Sequence, residues 1–258
     1  MRREGIAVPA VANRQVPRYN AKNAAFPNGK AAWRVALMVA FGALIVVILW
    51  EATVSAIVPQ VWDHAWLMTA TRRFLDGGSF YPAYELTGPY IVGGTEILYP
   101  PTILPLLVVF SFLPDILWWV APIALLAGVL LYWRPSLAGW TLILVCLANP
   151  LTFTLYLWGN PGMWFVAFVG LGTVYGWPAV LVVLKPTLAP FALVGIRQRS
   201  WWVALAILAV VSLAFLPLWF DYIAVVANSR GPMVSPLYSL PQVPLMVTPL
   251  VARWASTR

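Results

Sequence analysis

Residues 33–58 read WRVALMVAFGALIVVILWEATVSAIV, with nothing but apolar residues and one glycine between Arg34 and Glu51. A run of about 20 such residues matches the hydrocarbon thickness of a bilayer. It is too long for the core of a signal peptide and is expected to remain as an anchoring helix. Glu51 falls about 27 Å beyond Trp33 at helical rise, near the outer interface, where it either reaches water or turns toward a site. Ahead of the run stand Arg2, Arg3, Arg14, Arg18, Lys22, Lys30 and Arg34 against the single acid Glu4. That asymmetry puts the N-terminus in the cytoplasm, with residues 1–32 as a loose basic tail near anionic lipid.

The rest of the chain has the same character. Of 258 residues 62% are hydrophobic and 9% charged, roughly a third of the charge a water-facing surface carries. Soluble, disordered and coiled-coil classes are excluded. The apolar runs are continuous, whereas outer-membrane strands alternate over about ten residues. The fold class is therefore all-α, a polytopic transmembrane helical bundle of the cell membrane. The net charge of +8 belongs largely to the tail, so membrane lipids are the expected partners and nucleic acid is not. The single cysteine, Cys146, cannot form an intrachain disulfide, and the single histidine, His64, cannot build a His–Cys metal centre. No cofactor is expected; a divalent metal held by carboxylates and phosphate is compatible with the composition but not indicated by it.

After the first span, residues 59–98 form an extracytoplasmic loop too long to be a mere connection. Within it Val61–Leu75 reads as an amphipathic helix ended by Asp76-Gly77-Gly78, with Trp62, Trp66 and Phe74 suited to the membrane surface. From Tyr99 onward apolar segments near 101–113, 115–133, 137–148, 161–177, 179–196 and 201–220 are separated by breaks. The breaks fall at Pro100-Pro101, Pro114, Pro135, Asn149-Pro150, Gly159-Asn160-Pro161, Pro178 and Pro186. Several segments are shorter than a perpendicular span, so some helices are broken or re-entrant, and their free backbone ends face protein or a wet cavity. The transmembrane domain covers 33–220. Residues 221–258 form a C-terminal segment with a weak apolar patch at 243–251.

Few charged residues lie at membrane depth or in the loop. Asp63 opens the surface helix, either as its cap or as a general base at the bilayer face. On a regular helix Arg73 lies about 80° from Asp63 and is a candidate for the same ligand, while Arg72 points roughly opposite, toward headgroups. Lys185, in Val-Leu-Lys-Pro-Thr, sits inside an apolar run. It either snorkels from a half-helix or faces a cavity anion, for which a phosphate is a natural partner. Asn160 either caps a helix or bonds a sugar hydroxyl. Tyr99 precedes a proline pair that starts a helix.

Taken in order, Asp63, then Leu75-Asp76-Gly77-Gly78 with Tyr81, then Tyr99-Pro100-Pro101, resemble the first outer loop of GT-C membrane glycosyltransferases. The likeness is greatest to glycosyltransferase family 87, the polyprenol-phosphate-mannose-dependent group. Gly159-Asn160 sits where that family has a Gly-Gln-x-Asn-like break. Leu184-Lys185-Pro186-Thr187 with Arg197 and Arg199 is similar to its later Lys-Pro helix and basic turn. The likeness covers about residues 33–200. It lacks the family's Gln, and 258 residues is short for the family, so a truncated member with an incomplete C-terminal segment is expected.

The resemblance implies a polyprenyl-phosphate sugar donor carrying mannose, a lipid or glycan acceptor, transfer on the outer face and inversion at the anomeric carbon. Asp63 would be the base, Lys185 the residue that meets the donor phosphate, and Asn160 and Tyr99 further substrate contacts; Arg73 and His64 are candidates by position alone. The alternative function is a non-catalytic membrane subunit or inactive relative built on the same fold. A transporter is disfavoured by the lack of an internal repeat.

Overall fold

The structure, a computed structural model, describes residues 29–57 and 63–258. The expected tail falls almost wholly outside the described residues, as do Trp62 and the side chain of Glu51. The described chain is mostly helical: α1 (Gly29–Ile57), α2 (Asp63–Leu75), α3 (Ala83–Thr87), α4 (Leu104–Ser111), α5 (Ile116–Trp133), α6 (Leu137–Leu147), α7 (Pro150–Leu157), α8 (Gly162–Tyr175), α9 (Arg199–Ala214), α10 (Leu216–Asn228) and α11 (Val243–Trp254). Two-residue strands β1 (Tyr90–Ile91) and β2 (Ser229–Arg230) pair in parallel.

Among the described residues, two helices are long and apolar enough to cross a membrane, Ala31–Trp50 within α1 and Ile116–Trp133, which is α5. The count rises to four if each bent pair forms one span: α6 with α7, bent by 63°, and α9 with α10, bent by 89°. Both bends have local causes. Asn149 accepts a hydrogen bond from Leu151 N at 3.2 Å and caps α7 ahead of Pro150. Pro217 in the first turn of α10 cannot supply the N–H that would continue α9.

Helix α8 forms the centre. It is apolar all round, as a fully enclosed helix must be, and residues from Gly162 to Thr173 are buried almost without interruption. It packs against α5, α11 and the two 3₁₀ segments Trp177–Leu184 and Pro186–Gly195. In hydrocarbon, close packing and hydrogen bonds replace the hydrophobic drive between helices, so small residues at contacts matter. Gly172 lies directly on Ala179, and Gly195 on the backbone of Gly176, with no space for a Cβ at either glycine.

The expected segments at 115–133, 137–148 and 161–177 correspond to α5, α6 and α8 within a few residues. Three expectations need correction. The segment at 179–196 is two 3₁₀ pieces meeting at Lys185, because Pro178, Pro186 and Pro190 remove backbone donors. The 201–220 segment turns through the α9–α10 bend. Finally, 220 is not a structural boundary: α10 runs through it, and the patch at 243–251 is part of α11, whose Leu245, Met246, Thr248 and Ala252 are buried against α5, α6 and α8.

The loop after α2 is folded onto the body. Gly77, at φ +84°, and Gly78 end α2, with Gly77 N and Gly78 N donating to the Phe74 and Arg73 carbonyls. Asn228 Nδ2 donates to the Glu85 and Leu86 carbonyls at 3.0 and 3.1 Å, and Tyr90 Oη to Val225 O at 3.1 Å. Together with the β1–β2 pair, these bonds fasten the loop to α10.

Candidate functional site

Asp63 is the first residue of α2, where the helix dipole favours a carboxylate. The start of α2 is fixed against the α7–α8 break. His64 N donates to Trp158 O at 3.2 Å, and the His64 ring sits against Trp118 and Trp119, with centroids 5.4 and 4.7 Å away. Those two indoles hold the break itself: Trp118 Nε1 donates to Gly159 O at 2.7 Å and Trp119 Nε1 to Tyr156 O at 2.9 Å. Gly159 has φ +66°, and a Cβ there would meet His64 Cβ and Trp119 Cζ2 at 2.7 and 3.0 Å. Only glycine satisfies both demands.

This turn delivers Asn160. Its Nδ2 donates to Asp63 Oδ2 at 2.5 Å, while its Oδ1 accepts from Gly162 N at 2.8 Å. The two readings of Asn160, cap or site residue, are therefore not exclusive, because the amide does one job with each end. Burial raises the Asp63 carboxyl above its usual value; the Asn160 bond and the Lys185 charge pull it back down.

Lys185 stands at the extended joint between the two 3₁₀ segments and is 9% exposed. Its Nζ donates to Gln242 Oε1 at 3.0 Å and lies 6.0 Å from the Tyr99 ring centroid. The Tyr99 phenol is held protonated by burial and by the Asp63 charge. Among the described residues, Asp63 and Lys185 make no direct ion pair. Asn160, bonded to Asp63, and Gln242, bonded to Lys185, both flank Gly162, where a Cβ would lie 3.0 Å from Asn160 Oδ1 and 3.6 Å from Gln242 Oε1.

Asp63, Asn160, Tyr99 and Lys185 are thus brought together, although they come from four separate parts of the chain. Arg73 is not with them. It donates through Nε to Ser79 O at 2.6 Å and through Nη2 to Phe80 O at 2.7 Å, closing the loop after α2. His64 is a wedge behind the site: it is buried, its Nε2 has no hydrogen-bond partner among the described residues, and burial lowers its pKa. Gln242 escaped the sequence reading. Its signal was available, because a polar residue beside a proline break, as at Asn149, Asn160 and Lys185, recurs at Gln242-Val243-Pro244.

Beside the Tyr99 and Lys185 positions lies a mostly apolar groove of about 300 Å³ between the 3₁₀ segments, α9 and α10. Pro100 and Pro186 line its near end, and Leu205, Leu208 and Trp219 line it farther out. The arrangement joins a half-buried carboxylate, a buried ammonium with spare N–H donors, neutral amides and an adjoining greasy groove. No family model, curated protein or solved structure matches the chain.

Proposed function

We propose that the chain is a multi-pass membrane glycosyltransferase that moves a sugar, expected to be mannose, from a polyprenyl-phosphate donor to a lipid or glycan hydroxyl at the outer face. The observation that carries this reading is that Asp63 and Lys185 feel each other's charge, are each bonded to an amide that flanks Gly162, and among the described residues have no direct ion pair to neutralise either. A carboxylate kept from a cation by a short polar gap is suited to a reaction that separates charge across that gap.

In this scheme the acceptor hydroxyl oxygen bonds to the anomeric carbon as its proton passes to an Asp63 carboxylate oxygen. The bond from the anomeric carbon to the phosphate oxygen breaks, its electron pair stays on the phosphate, and the Lys185 ammonium meets the added charge. Attack opposite the leaving group inverts the anomeric centre. Asn160 orients the base, Tyr99 stays a neutral donor, and the groove beside Pro100 and Pro186 suits the prenyl tail. No nucleotide-binding loop or cofactor enters the scheme. Arg73 and His64 contribute to folding of the loop and the break.

The test is incubation of the purified chain in lipid nanodiscs with radiolabelled polyprenyl-phosphate mannose and membrane acceptors. Transfer is expected for the wild type and about 10²–10⁴-fold less for Asp63→Asn, the range for loss of a general base. Undiminished transfer by Asp63→Asn removes Asp63 from the base role.

A further inference from the structure

The Lys185 ammonium has three N–H donors. It is nine-tenths buried, and among the described residues it has one hydrogen-bond acceptor, the neutral Gln242 carbonyl. A buried charge hydrogen-bonded to a single neutral partner, with the Asp63 carboxylate acting on it without direct contact, is under-compensated. Gln242 is itself 3% exposed, and its Nε2 has no acceptor among the described residues. Its backbone is held firmly: the Thr187 hydroxyl, on the 3₁₀ segment Pro186–Gly195, meets at 2.6 Å the Ser239 hydroxyl on a further 3₁₀ segment, Pro236–Gln242, and Asn149 Nδ2 donates to Pro241 O at 2.7 Å. Pro241 and Pro244 restrict the chain on either side. Such anchoring presents a side-chain amide at a fixed point between the cation and the Asn160 turn.

We propose that Gln242 is a ligand-contacting residue of this site, recognising the phosphate of a lipid phosphate ester together with Lys185. In the free protein the Gln242 carbonyl occupies the place on Lys185 that an anionic oxygen takes in the complex. When the phosphate enters, one oxygen accepts from Lys185 Nζ and another from Gln242 Nε2. A neutral amide suits this role because it solvates the ammonium without competing as a charge. Glutamate, of the same shape, would hold Lys185 as an ion pair and exclude the anion. The proposal rests on the glycosyltransferase reading for its ligand class, but it is testable by binding alone.

The experiment titrates the full chain in nanodiscs with a polyprenyl monophosphate and, separately, with the corresponding polyprenol, following tryptophan fluorescence and the thermal midpoint. For Gln242→Glu the unliganded midpoint is expected to rise while monophosphate binding weakens tenfold or more. Gln242→Met is expected to weaken monophosphate binding severalfold, and polyprenol binding is expected to be the same in all three proteins. Opposite effects on stability and binding are not the mark of a residue that merely props the fold. Monophosphate binding by both variants equal to wild type overturns the role of Gln242 and leaves the Lys185 assignment standing. Equal weakening for polyprenol and monophosphate also overturns it, by moving the effect to the groove. A wild-type protein that does not bind the monophosphate overturns both this inference and the donor class beneath it.

Discussion

Asn160 shows how one side chain links stability to chemistry. Its Oδ1 caps α8 on Gly162 N, and its Nδ2 reaches Asp63, so any change at this residue acts on a helix end and a carboxylate together. Asp63 is raised by burial and lowered by Asn160 and Lys185. If Asp63 is the base, transfer falls as the pH drops through its folded pKa, because only the ionised form takes a proton. Asn160→Ala removes a lowering influence, so the acid limb of the pH–rate profile is expected to move to higher pH. A profile that keeps its acid limb while the overall rate falls would show that Asn160 does not tune Asp63. Asp63, Lys185 and Asn160 were legible one by one, since a polar residue in an apolar stretch is conspicuous. Their mutual contacts were not, because nothing local in the chain states that position 160 meets position 63.

At the scale of elements, the break between α7 and α8 and the loop after α2 carry the arrangement. Gly159→Ala must place a Cβ into His64 and Trp119 at a backbone angle costing about 1–2 kcal/mol by itself. A lower thermal midpoint is expected, together with loss of transfer, while Gly42→Ala in α1, which has open space around it, is expected to change neither. The loop has its own titrating element. Glu85 is fully buried, with Oε1 accepting from Ile97 N at 3.3 Å and Oε2 unpartnered. Burial raises its pKa from 4.5 to about 7, against the opposing Ile97 bond. A raised carboxyl means that the folded state holds its proton more tightly, so stability is highest below pH 4.5 and declines as pH rises through about 7. Glu85→Gln is expected to match wild type at pH 4 and to melt higher at pH 8. Equal midpoints for the two proteins at pH 8 would show that Glu85 is not the titrating group.

At the scale of the whole molecule, the acids lie at one end together with Arg72, Arg73, Lys185 and Arg230, while the other end carries arginines without acids among the described residues. Helices α5, α8 and α11 each start beside the Asp63–Lys185 cluster and run away from it. Their far ends carry the cations: Arg134 follows α5, Arg253 stacks on Trp133 at 5.8 Å, and Arg258 lies over Tyr132 at 4.1 Å. Ser200 Oγ donates to Tyr175 O, which brings Arg199 to the same end. Asp63, Asp76, Glu85, Glu96 and Asp115 lie in or beside the loop at the opposite end. The basic end suits the cytoplasm and the site end the outside. In a Cys146→Ser background, Thr87→Cys is expected to react with an impermeant maleimide on intact cells, and Gln198→Cys only after permeabilisation. The reverse pattern would invert the orientation and put the site in the cytoplasm.

The sequence by itself determined the helical class, the first span, the end of α2 at Gly77-Gly78 and most of the breaks. Hydropathy, proline and glycine act within a turn or two, so a local reading captures them. It also singled out Asp63, Asn160, Tyr99 and Lys185. Only the tertiary structure decided that Arg73 closes a loop, that His64 wedges a turn, that residues 243–254 belong to the core and that Gln242 meets Lys185. The Arg73 contacts span only six and seven positions, but the site itself depends on contacts across 97 positions for Asp63 and Asn160 and 57 for Lys185 and Gln242. Such contacts follow from how whole helices pack around α8, and side-chain chemistry at either position does not encode the partner at the other.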